Sequence, residues 1–118
     1  MKKKIVKLWC DALRSGEYKQ GKCVLKDSEK NLFCSIGVLN DLYEKAHPRS
    51  KCTITLCGEL YFDSSSENYE KFLNWCGAEG QFFYRNENNI RAFLGDMDDQ
   101  GKSFEEIAKF IEENHKIF

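Results

Sequence analysis

Apolar residues recur at helical spacing in five segments of the chain. In each segment they occupy positions i, i+3, i+4 and i+7, which places them on one face of an amphipathic helix. The segments are Ile5/Leu8/Trp9/Ala12, Leu39/Leu42/Tyr43/Ala46, Tyr69/Phe72/Leu73/Cys76, Ile90/Phe93/Leu94/Met97 and Phe104/Ile107/Ala108/Ile111. The pattern therefore predicts five helices whose apolar faces need a common core.

Residues typical of helix ends flank several of these segments. Gly16 and Gly77 follow the first and third segments, where glycine readily takes the left-handed conformation that ends a helix. His47 precedes Pro48 after the second segment, and a residue before proline avoids helical geometry. Ser103 lies three residues before Glu106, which is the spacing of a capping box. These signals set expected boundaries for four of the five helices.

The stretches between the helices have strand character. Candidate strands lie at residues 23–25, 32–33, 52–57, 59–62 and 81–84. The first two flank a polar turn and the next two flank Gly58, so each pair predicts a short hairpin. The chain shows neither an internal repeat nor a linker. We therefore predict an α+β fold, mainly helical with short β-hairpins, in one domain over residues 1–118.

Composition narrows the class of protein. The chain has 118 residues, 42% hydrophobic and 31% charged, with a net charge of −1. This profile is typical of a globular domain, and the near-neutral charge disfavours nucleic acid as a partner. No apolar run approaches the roughly 20 residues that span a bilayer, and no signal-peptide core follows the N-terminal lysines. We expect a cytoplasmic protein without a membrane partner.

The six cysteines predict mainly structural thiols. The cytosol keeps thiols reduced, and free cysteine behaves as a small apolar side chain in a core. Cys76 completes one helical stripe, and Cys52 alternates with Ile54 and Leu56. Cys52 and Cys57 lack a second pair at metal-site spacing, so we predict neither a metal site nor a cofactor.

Four sequence stretches together resemble a family of small bacteriophage and prophage proteins. They cover residues 9–21 (W-x2-A-L-R-S-G-x-Y-x-Q-G), 34–42 (Cys-headed, with G-V-L-x-D-L), 75–77 (W-x-G) and 97–112 (D-x-G-x-S-F-x-E-I-A). Ser35 stands where the resembled pattern has a second cysteine, and Asp98 stands where it has asparagine. The resemblance implies a phage origin, an accessory role and residence in the cytoplasm of an infected bacterium.

The corner after the first helix has the chemical range of a nucleotide site. Arg14 offers a planar fork for phosphate, Tyr18 an aromatic face, and Gln20 a donor and acceptor for a base edge, with Ser15 between them. A scaffold interpretation is equally concrete. Arg14 would favour the dipole at a helix C-terminus, and Tyr18 would pack beneath the hairpin. The sequence leaves both interpretations open.

Cys34 invites a cysteine-hydrolase interpretation, because a thiol at a helix N-terminus has a lowered pKa. His47 ends the helix that Cys34 begins, which separates them by about 20 Å at 1.5 Å per residue. His115, near the C-terminus, is the other histidine. Catalysis is therefore disfavoured, with Cys34 as the weak candidate and a ligand contact as its alternative role. Gly37, inside this helix, predicts close approach by a helix, the hairpin or a ligand.

The acidic segment before the last helix partly resembles a calcium loop. Asp96, Asp98 and Gly101 occupy positions 1, 3 and 6, but Ile107 stands where the bidentate glutamate is required. The calcium interpretation therefore fails. Asp98 and Asp99 are predicted to form an inter-helix turn that either contacts a ligand hydroxyl or hydrogen-bonds the hairpin.

These residues favour a non-catalytic accessory protein that binds a small, nucleotide-derived ligand and so interferes with bacterial host defence signalling. The predicted ligand-binding residues are Arg14, Ser15, Tyr18, Gln20, Cys34, Asp98 and Asp99. The alternative is an inhibitor that binds a host protein through an aromatic surface, since the chain holds two Trp, five Tyr and nine Phe. A Cys34-dependent hydrolase is the weaker alternative. The size and charge of the chain would also suit a homodimer.

Overall fold

The computed structural model describes residues 1–21, 24–78, 94 and 97–114. Within these residues the helices are α1 (Lys3–Arg14), α2 (Ser35–Ala46), α3 (Glu67–Cys76) and α4 (Phe104–Asn114). The strands are β1 (Lys19–Gln20), β2 (Lys26–Asp27), β3 (Leu32–Phe33), β4 (Thr53–Leu56) and β5 (Glu59–Phe62). Leu94 and residues 97–99 are also helical. The α+β prediction is confirmed.

The five strands form one sheet with the order β1-β3-β2-β5-β4. β1 pairs parallel with β3, and the other neighbours pair antiparallel. Lys26 is opposite both Phe33 and Leu60, and Leu60 is opposite Thr55. These residues therefore lie in one row across the sheet, with strands about 4.8 Å apart.

Both predicted hairpins are present, although the first is displaced. β4 and β5 lie within the predicted limits on either side of Gly58. β2 begins at Lys26, later than the predicted segment 23–25, of which residue 23 lies outside the described residues. Leu25 is buried just before β2, and its carbonyl accepts from the Cys34 amide at 3.4 Å. The strand predicted at 81–84 and part of the fourth helical segment lie outside the described residues.

The helix ends follow the sequence signals. Gly16 and Gly77 have φ angles of 78° and 72°, as expected for left-handed glycines. His47 is the C-cap of α2. The Ser103 hydroxyl accepts a hydrogen bond from the Glu106 amide at 3.2 Å, which is the amide half of the predicted capping box.

One hydrophobic core joins the helices to the sheet. Helix α1 packs against both α2 and α4, which buries the five residues Ile5, Val6, Trp9, Cys10 and Leu13. Leu8 was expected on this face but is 42% exposed, because the contact with two helices turns the buried face toward Val6 and Cys10.

The buried cysteines confirm most of the structural-thiol prediction. Cys10, Cys52 and Cys76 are completely buried in the core. Burial raises their pKa values from 9.0 to about 12, 12 and 11, respectively. These thiols stay protonated at neutral pH. Among the described cysteines, Cys57 is the exception, because it is free and exposed in the turn between β4 and β5. Cys23 lies outside the described residues.

Candidate functional site

The first turn of α2 lies directly against the chain that leads into β2. A Cβ atom built on Gly37 would lie 1.8 Å from the Leu25 carbonyl oxygen. Such a contact is impossible for any residue with a side chain, so glycine permits this approach. Of the three close approaches that the sequence left open, the structure shows the one by the hairpin segment.

A polar cleft of about 260 Å³ opens beyond this contact, between α2 and one face of the sheet. Its helix wall carries Gly37, Asn40, Asp41 and Glu44, which recur at i, i+3, i+4 and i+7. The opposite wall belongs to the sheet and its flanking residues. It consists of Lys26, Ser28, Phe33, Lys51, Thr53, Thr55 and Leu60.

The carboxylates of the cleft already have protein partners. Asp41 accepts a hydrogen bond from the Tyr18 hydroxyl at 2.6 Å and forms an ion pair with Lys45 at 2.9 Å. Glu44 accepts from the Thr53 hydroxyl at 2.7 Å. These contacts hold the acidic side chains in place along the α2 wall.

The lysines of the cleft are placed differently. The Lys26 ammonium lies 5.2 Å from the centroid of the Phe33 ring, in cation–π contact. Within the part of the chain that the structure describes, neither Lys26 nor Lys51 forms an ion pair with a carboxylate. The cleft therefore contains two ammonium groups available to an anionic ligand.

Tyr18 lies at the edge of this cleft. Its ring meets Phe33 edge to face at 4.9 Å, and the Lys45 ammonium lies 5.2 Å from its centroid. Burial, followed by the hydrogen bond to Asp41, raises the pKa of the Tyr18 hydroxyl. Tyr18 therefore stays protonated and fixes the position of Asp41 on the cleft wall.

Arg14 contacts helix α4 instead of the cleft residues. Its Nε donates to Glu105 at 3.0 Å, and both terminal nitrogens donate to Glu112, with Nη2–Oε2 at 3.1 Å. These hydrogen bonds lower the pKa of Glu112. Ser15 serves the helix end, because its hydroxyl donates to the Ala12 carbonyl at 2.7 Å. The contacts favour the scaffold interpretation of Arg14 and Ser15.

Gln20 and Asp98 meet in the interior, at the N-terminus of α2. Asp98 is 2% exposed and accepts from Gln20 Nε2 at 3.1 Å. It also accepts from the Ser35 hydroxyl at 2.7 Å and from the Ser35 amide at 3.1 Å. Burial raises the Asp98 pKa, while the hydrogen bonds from Ser35 and Gln20 act in the opposite direction.

Ser35 extends this buried network to α1, because its carbonyl accepts from Trp9 Nε1 at 2.8 Å. Asp98 therefore hydrogen-bonds other parts of the chain, but its partners lie in β1 and α2 and not in the predicted hairpin. The predicted turn at Asp98 and Asp99 is wrong, because both residues are helical and the turn follows at Gln100 and Gly101. Asp99, the adjacent predicted residue, is half-buried. Ser35 and Asp98 are also the two positions at which the sequence departs from the resembled phage pattern, and they contact each other directly.

Cys34 is the N-cap of α2, and its sulfur accepts a hydrogen bond from the Gly37 amide at 3.3 Å. His47 lies at the other end of this helix, about 20 Å away at 1.5 Å per residue, where its ring stacks on Tyr43 at 4.6 Å. The structure therefore does not bring these two residues together. His115 lies outside the described residues.

The polar face of α2 as a cleft wall was not predicted from the sequence. The predicted apolar stripe 39/42/43/46 and the cleft stripe 37/40/41/44 lie on opposite faces of the same helix. A polar helix face ordinarily lies toward solvent. Gly37 is the available signal that this one is covered, because glycine costs a helix interior roughly 1 kcal/mol against alanine and is expected where another segment approaches closely. Asn40 is in fact 1% exposed and accepts from the Cys52 thiol at 3.4 Å.

The chain belongs to the family described as a domain of unknown function, DUF8296, whose profile matches residues 1–115. No curated protein and no solved structure matches the chain. Among the described residues, no helix is long and apolar enough to cross a membrane. The same residues contain no group of three or more His, Cys, Asp or Glu side chains that could hold a metal ion.

Proposed function

We propose that the protein binds a small, nucleotide-derived ligand in the cleft between α2 and the sheet, without catalysing its conversion. The single observation that carries this proposal is the polar face of α2, held over a cleft wall in which Lys26 of β2 and Lys51, just before β4, supply two lysines. A helix normally packs an apolar face on a sheet. Here polar side chains enclose about 260 Å³ instead.

The lining has complementary groups for each part of such a ligand. Lys26 and Lys51 supply positive charge for a phosphate. Asp41 and Glu44 can accept hydrogen bonds from sugar hydroxyls or a base amino group. Phe33 and Leu60 give apolar surface beside the polar groups. The volume lies just below the range of about 300–1,000 Å³ found for drug-sized ligands, which favours a ligand with a single base.

Binding one ligand per protein molecule, without turnover, is enough to give the protein a biological role. A protein that binds a signalling nucleotide without turnover lowers the free concentration of that nucleotide. The resemblance to small phage proteins supports a setting in which this withdrawal interferes with host defence signalling. The alternative, an aromatic surface for a host protein, has less support. Trp9, Tyr43, Tyr69 and Phe72 are buried, and Tyr61 is the exposed aromatic side chain among the described residues.

Calorimetric titration with nucleosides, nucleoside monophosphates and cyclic nucleotides tests the proposal. We expect one class to bind, and Lys26→Ala and Lys51→Ala each to weaken it by roughly tenfold or more. Lys71→Ala is the matched control, because Lys71 is an exposed lysine on α3 and is not part of the cleft. Binding that is unaffected by either cleft variant, or no binding across the panel, would refute the proposal.

A further inference from the structure

The β4–β5 hairpin exposes apolar side chains on its outer face. Ile54, Leu56 and Tyr61 are 43%, 56% and 38% exposed. Ile54 is opposite Tyr61 in the register, and Leu56 follows two residues later, so the three side chains share one face. Thr53 and Thr55 project to the other face and line the cleft. The hairpin thus places its threonines on the cleft side of the sheet and its aliphatic residues on the outer face.

β4 is also the last strand of the sheet. Within the described part of the chain its neighbour is β5, on one side only. Leu56 is opposite Glu59 across the two-residue turn at Cys57 and Gly58, and at the other end of the hairpin the Asp63 amide donates to the Cys52 carbonyl at 2.8 Å. Because antiparallel hydrogen bonding alternates along a strand, the N–H and C=O groups of Thr53 and Thr55 point to the open side.

Within the described residues, β4 lacks the features that usually protect a sheet edge. Natural edge strands carry charged residues, prolines or bulges that block pairing with other chains. The β4 sequence is Thr-Ile-Thr-Leu, without charge or proline. An unprotected edge beside an apolar face is typical of a strand that has a partner.

We propose that β4 pairs antiparallel with β4 of a second copy of the chain, about a two-fold axis at Thr55. In this register Thr55 exchanges both backbone hydrogen bonds with the partner's Thr55. Ile54 then lies opposite the partner's Leu56, at a non-hydrogen-bonded pair where side chains approach most closely. The interface is self-complementary, as a two-fold axis requires.

The charges at the two ends of β4 support this orientation. The chain entering β4 carries the exposed residues Arg49 and Lys51. The turn at the other end carries Glu59, and the Glu29 side chain lies beside this turn, 3.5 Å from where a Cβ atom on Gly58 would stand. Antiparallel pairing brings the basic end of each copy beside the acidic end of the other. Parallel pairing would bring like charges together.

The pairing would also place the two clefts next to each other. Thr53 and Thr55 form part of the cleft wall nearest the open edge. Across the two-fold axis, the inner face of the sheet continues from one cleft to the other. Lys51 belongs both to the cleft lining and to the basic end of β4, but the pairing itself is formed by the edge and outer face of the hairpin and requires no ligand.

Sedimentation velocity over a wide concentration series tests the pairing. We expect a concentration-dependent dimer, because a four-residue strand gives a small interface. Ile54→Lys and Leu56→Glu, each alone, should raise the dimer dissociation constant by roughly tenfold or more. Combining them should restore the dimer, since each introduced lysine then lies opposite an introduced glutamate of the other copy.

Leu8→Lys is the matched control, because Leu8 is an equally exposed apolar residue on α1. It should leave dimerisation unchanged, and circular dichroism should show that every variant is folded. A monomer at all concentrations would overturn the proposal. A dimer that is unaffected by both single substitutions, or a double variant that stays monomeric, would overturn it equally.

Discussion

The side chain of Asp98 accepts hydrogen bonds from both the hydroxyl and the amide of Ser35, although 63 residues separate the two along the chain. The pair joins the helical residues 97–99 to the N-terminus of α2. A carboxylate at this end is stabilised by the helix dipole, but burial opposes its ionisation. The buried carboxylate of Asp98 therefore depends on the hydrogen bonds that Ser35 donates to it.

Removing the Ser35 hydroxyl should destabilise the fold markedly. Ser35→Ala leaves the buried carboxylate with one donor fewer, and a hydrogen bond to a charged group contributes about 1.5–3 kcal/mol. In Asp98→Asn/Ser35→Ala, the loss caused by Ser35→Ala should be smaller, because no buried charge remains. Urea unfolding of the four proteins gives the coupling energy. Additive losses would contradict the pairing.

Because of Asp98, the free energy of unfolding should fall as the pH rises from acidic values. Its folded-state pKa lies above the ordinary 3.8, chiefly because of burial. The folded protein therefore holds this proton more tightly than the unfolded chain, and the resulting stabilisation is lost as pH rises from 3.8 through the raised pKa. Unfolding free energies measured against pH should show this decline in the wild type relative to Asp98→Asn. If the difference in unfolding free energy between wild type and Asp98→Asn does not change with pH, the predicted effect of Asp98 is excluded.

Arg14 variants should report on folding and leave ligand binding intact. Its partners Glu105 and Glu112 are partly exposed, and exposed ion pairs contribute little. Arg14→Ala should lower Tm by a few degrees, and Arg14→Lys by less. High salt should reduce both differences. If instead calorimetry shows that either variant abolishes nucleotide binding, the site would have to include this corner.

Gly37→Ala should destabilise the protein, although alanine favours an isolated helix by about 1 kcal/mol over glycine. The added Cβ would collide with the Leu25 carbonyl, and overpacking typically costs about 1–3 kcal/mol or more. The sign of the change in thermal unfolding decides between the two effects. A variant more stable than wild type would show that α2 and the segment before β2 are further apart.

Cys57 should react with iodoacetamide well before Cys10, Cys52 and Cys76. It is exposed, whereas burial raises the pKa values of the other three to about 12, 12 and 11. Peptide mapping by mass spectrometry gives the order of labelling. Early labelling of the buried three in the folded protein would contradict their place in the core.

Cys34→Ser should remain folded and retain ligand binding, since Cys34 acts as a helix cap.

The sequence by itself determined much of the local structure. Helical periodicity located α1, α2, α3 and α4, and Gly16 and Gly77 marked the ends of α1 and α3, because these features depend on neighbours only a few residues away. The two hairpins were predicted for the same reason. The burial of Cys76 also followed from its place in an apolar helical stripe. The alternation of Cys52 with Ile54 and Leu56 was a poorer guide, because Cys52 is buried whereas the other two are exposed.

Only the tertiary structure decided the candidate site. Residues 14–20 are close in sequence, yet Arg14 pairs with α4, Tyr18 with Asp41, and Gln20 with Asp98. Each partner is more than twenty residues away, and periodicity carries no information about such contacts. The cleft likewise depends on contacts between residues that are distant in the sequence. The polar face of α2 became a cleft wall because the Gly37–Leu25 contact holds the helix over the sheet, and that packing depends on long-range geometry.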